Sequence, residues 1–247
     1  MRRASFLFAF ALLVCISPAW AEFDQSFYES YPLPADGSFS LANVNGSVRI
    51  EGWDKQEVQV HAIKIARGSP SDLYRVKIDV RREANSLEVA TRYPEGQGVE
   101  VTVNYRIRVP YRAALRHVTT VNGEVLVRGM ESAGDLRTIN GGIQLLDSAG
   151  RFDLRSTNGS VHVELSELRA AAGLNIETVN GAVHVALPLG SDADLDVSSM
   201  NGEFRSELPV MAPASREFQG RLGSGGSPVR IRTINGAIEL VNLRSVV

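Results

Sequence analysis

The chain has 247 residues, 44% of them hydrophobic, with 26 Lys+Arg against 28 Asp+Glu and a formal net charge of −2. A balance this close excludes the overall basic field that nucleic-acid binding requires. One cysteine in the whole chain excludes a disulfide framework, so stability has to come from packing and backbone pairing.

The first stretch, MRRASFLFAFALLVCISPAWA, carries Arg2 and Arg3, an apolar run from Phe6 to Ile16, and an A-x-A site at Ala19-Trp20-Ala21 after Pro18. This layout predicts a secretory signal peptide over residues 1–21. Its apolar run is too short for a membrane span, and no second such run follows. Cys15 follows Val14, where a lipid-modification signal wants a small residue. The mature chain is expected to begin near Glu22, to lack cysteine and any membrane span, and to reside in the periplasm or at the cell surface of a bacterium. Without Arg2 and Arg3 it keeps 24 basic residues against 28 acidic ones, a net charge of −4.

Residues 22–115 predict a β-rich N-terminal part. EVQVHAIKIA, YRVKIDV, SLEVATRY and VEVTVNYRIRVP alternate apolar and polar residues, and turns such as RGSPSD and PEGQG separate them. No convincing helix pattern follows the leader.

Residues 116–247 repeat one unit, anticipated once upstream. Asn-Gly occurs as Asn45-Gly46, Asn122-Gly123, Asn140-Gly141, Asn158-Gly159, Asn180-Gly181, Asn201-Gly202 and Asn235-Gly236. From Asn122 to Asn201 the spacings are 18, 18, 22 and 21 residues, close enough to periodic to mark a structural repeat. Two residues before Asn stand Asn43, Thr120, Thr138, Ser156, Thr178, Ser199 and Thr233; three residues after it, every repeat has an apolar residue. Period-two alternation runs on both sides of Asn-Gly with its phase shifted by one, so the chain turns a corner there and keeps the same face inward.

Two architectures satisfy that phase: an antiparallel hairpin meander or sandwich with Asn-Gly at type I′ turns, and a β-solenoid with stacked coils and Asn-Gly corners. The fixed spacing and the persistent hydroxyl favour the solenoid, which is expected to be continuous with the N-terminal part as one elongated domain. Asn and Gly both tolerate positive φ. Stacking would let the Asn amides form one ladder and the hydroxyls a second. ELPVMAPASREFQGRLGSGGSP reads as a loop or irregular coil before the last rung, VRIRTINGAIEL.

Catalytic and metal chemistry find little support. His162 and His184 occupy the same repeat position, about 5 Å apart if the coils stack, but no cysteine or carboxylate accompanies them at ligand spacing. Asp192, Asp194 and Asp196 alternate along one strand; they suit a Ca²⁺ site or a solvated face, and no turn wraps oxygens round one point. GRLGSGGSP lacks the Lys-Ser/Thr and helix of a phosphate loop, and no nucleophile or zinc motif occurs. No catalytic residue, cofactor or metal is assigned.

The order of VNGSVRIEGWDKQEVQVHAIK, YRIRVPY, LRHVTTVNGEVLV, the T-[IV]-N-G-x-[IV] units and the closing GSGGSPVRIRTINGAIELV resembles a bacterial adhesin-like family of unknown function, similar in style to the β-helical head domains of autotransporter adhesins. RSTNGSV and SSMNGEF depart from its Val/Ile-Asn-Gly form. The resemblance implies a right-handed β-solenoid in the bacterial envelope and supplies no catalytic residues. The expected function is a non-enzymatic binding or structural scaffold with an unidentified partner, an envelope protein or a glycan. The alternatives are a regulatory partner in envelope stress and a carbohydrate-active β-helix enzyme.

Overall fold

The computed structural model describes residues 22–96, 98–169, 172–210 and 217–243. The expected leader, with Cys15, lies outside the described residues, as does part of the loop expected before the last rung.

The N-terminal part forms β1 (Phe23–Pro32), β2 (Ser38–Ala42), β3 (Val48–Trp53) and β4 (Glu57–Ala66), a short helix α1 (Asp72–Arg75), then β5 (Lys77–Glu83), β6 (Ser86–Arg92) and β7 (Val101–Pro110). The repeats form β8 (Ala114–Asn122), β9 (Val125–Arg128), β10 (Gly134–Asn140), β11 (Ile143–Ala149), β12 (Arg151–Asn158), β13 (Val161–Glu167), β14 (Gly173–Asn180) and β15 (Val183–Leu187). The chain continues through β16 (Ala193–Ser199), β17 (Phe204–Ser206), β18 (Glu217–Leu222), β19 (Ser227–Asn235) and β20 (Ile238–Asn242).

These strands make two ten-stranded sheets over one core. Each strand before an Asn-Gly belongs to one of them, the pre-corner sheet, ordered β18-β16-β19-β14-β12-β10-β8-β2-β6-β5. Each strand after it belongs to the post-corner sheet, ordered β1-β4-β7-β3-β9-β11-β13-β15-β20-β17. Asn-Gly is therefore a corner between sheets and not a hairpin tip. Neighbouring rungs run parallel and in register: Leu136 faces Leu154, Thr138 faces Ser156, and Asn140 faces Asn158. The architecture is all-β and solenoid-like, with antiparallel strands only toward its ends, where β1, β4 and β7 pair, β5 pairs with β6, and β18 with β16.

The inward columns explain the alternation. Val118, Leu136, Leu154, Ile176, Ile231 and Val197 are buried on the pre-corner sheet, and Val125, Ile143, Val161, Val183 and Ile238 on the other. Each such side chain contributes roughly 1.5–3 kcal/mol of transfer free energy.

At the corners, the glycines are required for a reason other than the expected positive φ. Of the seven, only Gly46 has φ in the left-handed region, at 124°. The other six are forced by proximity. A Cβ on Gly141 would stand 2.0 Å from the carbonyl oxygen of Gly123, one on Gly159 2.0 Å from that of Gly141, and one on Gly181 2.1 Å from that of Gly159. Backbone cannot yield as a flexible side chain can.

The Asn amides form one continuous ladder. Nδ2 of Asn122 donates to Oδ1 of Asn45 (2.7 Å), Asn140 to Asn122 (2.8 Å), Asn158 to Asn140 (2.9 Å) and Asn180 to Asn158 (2.8 Å). Asn235 then donates to Asn180 (2.7 Å), and Asn201 to Asn235 (2.8 Å). The hydroxyl column does not form the expected second ladder. Its members point inward, and each donates to a glycine carbonyl one rung away: Thr138 to Gly123 (2.9 Å), Ser156 to Gly141 (2.9 Å), Thr178 to Gly159 (3.1 Å).

Chain order and stacking order differ at both ends. VRIRTINGAIEL, last in sequence, is not the last rung: β19 and β20 lie between the β14/β15 coil and the β16/β17 coil. At the other end the β2/β3 coil lies between β6/β7 and β8/β9. The segment expected as irregular coil contains β18, which pairs antiparallel with β16.

The β6/β7 coil lacks Asn-Gly yet continues the hydroxyl column with Thr91. Asn43, the one non-hydroxyl member, presents Nδ2 to the carbonyls of Val103 (3.0 Å) and Gly46 (3.2 Å), which fixes its amide orientation. Thr91 Oγ1 donates to Asn43 Oδ1 (2.9 Å), so the fully buried Tyr105 hydroxyl must donate to Thr91 (2.7 Å). Burial pushes the Tyr105 phenol up to about 12.

Two outcomes follow from this geometry. Gly159→Ala should lower unfolding free energy by about 3 kcal/mol in denaturant titration, because the new methyl meets backbone. Asn158→Ala, at an exposed ladder position, should cost about 1 kcal/mol. In the unfolded chain Tyr105 loses its proton near pH 10, while the folded protein keeps it to about 12. Above pH 10 the unfolded state therefore holds fewer protons, and stability falls with rising pH by on the order of 2–3 kcal/mol across the window. Comparing Tyr105→Phe with wild type in pH-dependent melts should show a shallower fall above pH 10 in the variant, since Tyr31 and Tyr93, also raised by burial, remain, and no difference in slope below pH 10.

Candidate functional site

In-register stacking turns each outward repeat position into a column. On the pre-corner sheet, positions two and four before Asn point inward, so positions one and three before it face solvent. The first outward column reads Val44, Val121, Ile139, Thr157, Val179, Ile234 and Met200 in stacking order. Ile139 is 47% exposed, Val179 36%, Ile234 40% and Met200 63%. These four are among only seven large hydrophobic side chains so exposed in the described residues. Their alignment on one column makes an apolar rail, interrupted at Thr157.

The second outward column carries Thr119, Arg137, Arg155, Glu177, Arg232 and Ser198. Between the two columns runs a groove of about 800 Å³, floored by the backbone of the hydroxyl column. Six rung spacings of ~4.8 Å give it a length of roughly 29 Å.

The polar wall is an ion-pair lattice. Arg137 donates through Nε and an Nη to both oxygens of Asp135, at 2.8 and 2.9 Å, and this bond holds its guanidinium pKa above the usual value. Arg155 bridges Asp153 (3.0 Å) and Glu177 (3.2 Å). Asp196 binds Arg230 (3.1 Å) and Arg232 (3.3 Å). Exposed pairs of this kind add little stability each; their consequence is a charged but locally neutral wall opposite an apolar one.

The other residues singled out in the sequence fall elsewhere. His162 and His184 face each other on β13 and β15, with ring centroids 4.9 Å apart and planes 7° from parallel. His162 Nε2 lies 2.8 Å from Glu164 and His184 Nδ1 3.4 Å from Glu239. Among the described residues no group of three or more His, Cys, Asp or Glu is placed to hold a metal ion. Asp192 and Asp194 accept the backbone N–H groups of Ser224 (2.6 Å) and Gly226 (3.1 Å). They tether the glycine-rich turn between β18 and β19, whose Gly223, Gly225 and Gly226 have φ of 58°, 75° and 120°.

The apolar rail was the feature sequence reading left unused. Six of the seven residues before Asn are visibly apolar, Thr157 being the exception, and the inward assignment of their neighbours already placed them on the solvent side.

The sequence profile of the Toastrack DUF4097 family matches residues 35–241. No curated protein matches the chain. Among solved structures, a candidate cell adhesion protein from Clostridium sporogenes aligns with 88% of this chain and 100% of its own, at 12% identity and a TM-score of 0.48. A candidate adhesin from Bacteroides fragilis aligns with 87% of this chain and 97% of its own, at 12% identity and a TM-score of 0.40. A candidate lipid binding protein from Parabacteroides distasonis aligns with 87% and 96%, at 8% identity and a TM-score of 0.34.

Proposed function

The chain belongs to the Toastrack DUF4097 family, and from that premise we propose that it is an exported, non-enzymatic binding scaffold of the bacterial envelope, adhesin-like in its use of a rigid stack to present a surface. The observation that carries this reading is the groove of about 800 Å³ with one apolar and one charged wall. A ligand lying along the stack meets the same pair of walls at successive rungs, so contacts too weak to bind singly add along its length. An extended glycan suits such walls, its ring faces against the rail and its hydroxyls against the Arg–carboxylate lattice.

Support for export comes from the basic, apolar and A-x-A layout of residues 1–21. The right-handed winding implied by the family resemblance belongs to the same reading. Binding is favoured over catalysis because the groove's carboxylates and arginines are tied to one another, where an acid/base pair would need a free carboxyl facing the ligand.

The test is a glycan array probed with wild type and with the triple variant Ile139→Ser, Val179→Ser, Ile234→Ser. These exposed sites should leave melting nearly unchanged, within about 1 kcal/mol in total. Glycans retained by wild type and lost by the variant support the groove. Equal retention by both proteins, or no retained glycan, argues against it.

A further inference from the structure

A second concavity lies on the other sheet and does not depend on the groove. On the outer face of the post-corner sheet, His61 of β4 stands beside Arg106 of β7, which stands beside Arg49 of β3, all directly in register. In the next row two residues along, Arg108 pairs with Glu51 at 3.4 Å. Arg128 follows across β3 and β9 and reaches Asp147 at 3.3 Å. Together these rows line a hollow of about 610 Å³, with Tyr28 set edge-on against His61 at its rim.

Arg49 and Arg106 differ from the arginines of the groove's polar wall. Arg137, Arg155, Arg230 and Arg232 each have a carboxylate within 3.3 Å. Arg49 and Arg106 have no ion-pair partner among the described residues, although Arg108 beside them has one. Like charges directly opposite across a sheet destabilise it. Each guanidinium presents five donors in a planar fork suited to oxyanions. A net charge of −2 over the whole protein supplies no general attraction for anions, so this positive field is local.

We propose that this hollow is an oxyanion site for a dianionic, phosphate-class group, held between Arg49 and Arg106, with His61 and the Tyr28 hydroxyl as further donors at its rim. A dianion neutralises both guanidiniums at once, where a single carboxylate would leave one uncompensated. The phosphate belongs either to a free ion or to an exposed lipid headgroup; the recognising chemistry is the same.

Titration with inorganic phosphate at low ionic strength, followed by calorimetry and by the His61 imidazole resonances, should show saturable binding. Arg49→Gln and Arg106→Gln should each weaken it at least tenfold with melting temperature preserved. Arg205→Gln, at the far end of the same sheet and paired with Glu203 at 2.7 Å, should bind as wild type does. Cosedimentation with phosphatidylcholine vesicles with and without phosphatidic acid supplies the second arm: capture only by phosphatidic acid, lost in both cleft variants, assigns the group to a lipid. Phosphate binding without vesicle capture assigns it to a soluble ion. The site is overturned if neither probe binds saturably, or if both cleft variants bind as tightly as wild type. The groove variants leave this hollow intact, so a failed glycan array and a failed phosphate titration are independent results.

Discussion

The structure depends on one close approach, that of the backbone at each corner to the corner one rung away. Gly123 shows how much is tied to it. Its carbonyl oxygen lies 2.0 Å from where a Cβ on Gly141 would stand, and it accepts the hydroxyl of Thr138 at 2.9 Å. The glycine permits the approach, and the hydroxyl satisfies the carbonyl that the approach buries. Asn140, two residues after Thr138, meanwhile bonds to the amide of Asn122 on the outer side of the same corner. Thr-x-Asn-Gly is thus one physical unit. Its outward result is register: the corners cannot slip past one another, so the outward side chains nearest each corner fall into columns, while register shifts occur farther along the strands, as between Leu145 and Ser148.

Much of this could be read in the sequence because a repeat reports its own geometry. The inward residues Leu136, Leu154 and Ile176 and the corner at each Asn-Gly follow from alternation and its phase shift. The reason for the glycines did not follow, since positive φ and lack of room leave the same residue in a sequence; only Gly46 has the former. The partners of Thr138 and Ser156 were hidden likewise, because a conserved phase says a hydroxyl is inward without saying whether it meets another hydroxyl or a carbonyl. Rung order was beyond reach. The 34-residue gap before Asn235 looks like an insertion ahead of a final coil, and nothing local distinguishes that from a coil returning to an interior place.

The two candidate sites were legible to different degrees for the same reason. The rail of Ile139, Val179 and Ile234 recurs in every repeat but that of Asn158, which has Thr157, and can be found by counting from Asn. The hollow is assembled from β3, β4 and β7, separated in sequence and joined by one parallel and one antiparallel pairing. Arg49 and Arg106 are 57 residues apart, and no motif connects them. The groove wall carries matched charges along its length, whereas the hollow sets the unmatched Arg49 and Arg106 side by side.

The tucked position of the β19/β20 coil has a mechanical consequence. A load entering through β20 meets a strand hydrogen-bonded along both edges, to β15 and to β17, and its corner is clamped by Asn180 on one side and Asn201 on the other. A load entering through β1 meets an edge strand held by β4 alone. The stack is therefore polar under tension: from one end it peels a single ladder at a time, and from the other it must shear two ladders together. A protein anchored by its C-terminal side would resist detachment where the same protein anchored by its N-terminal side would begin to unravel.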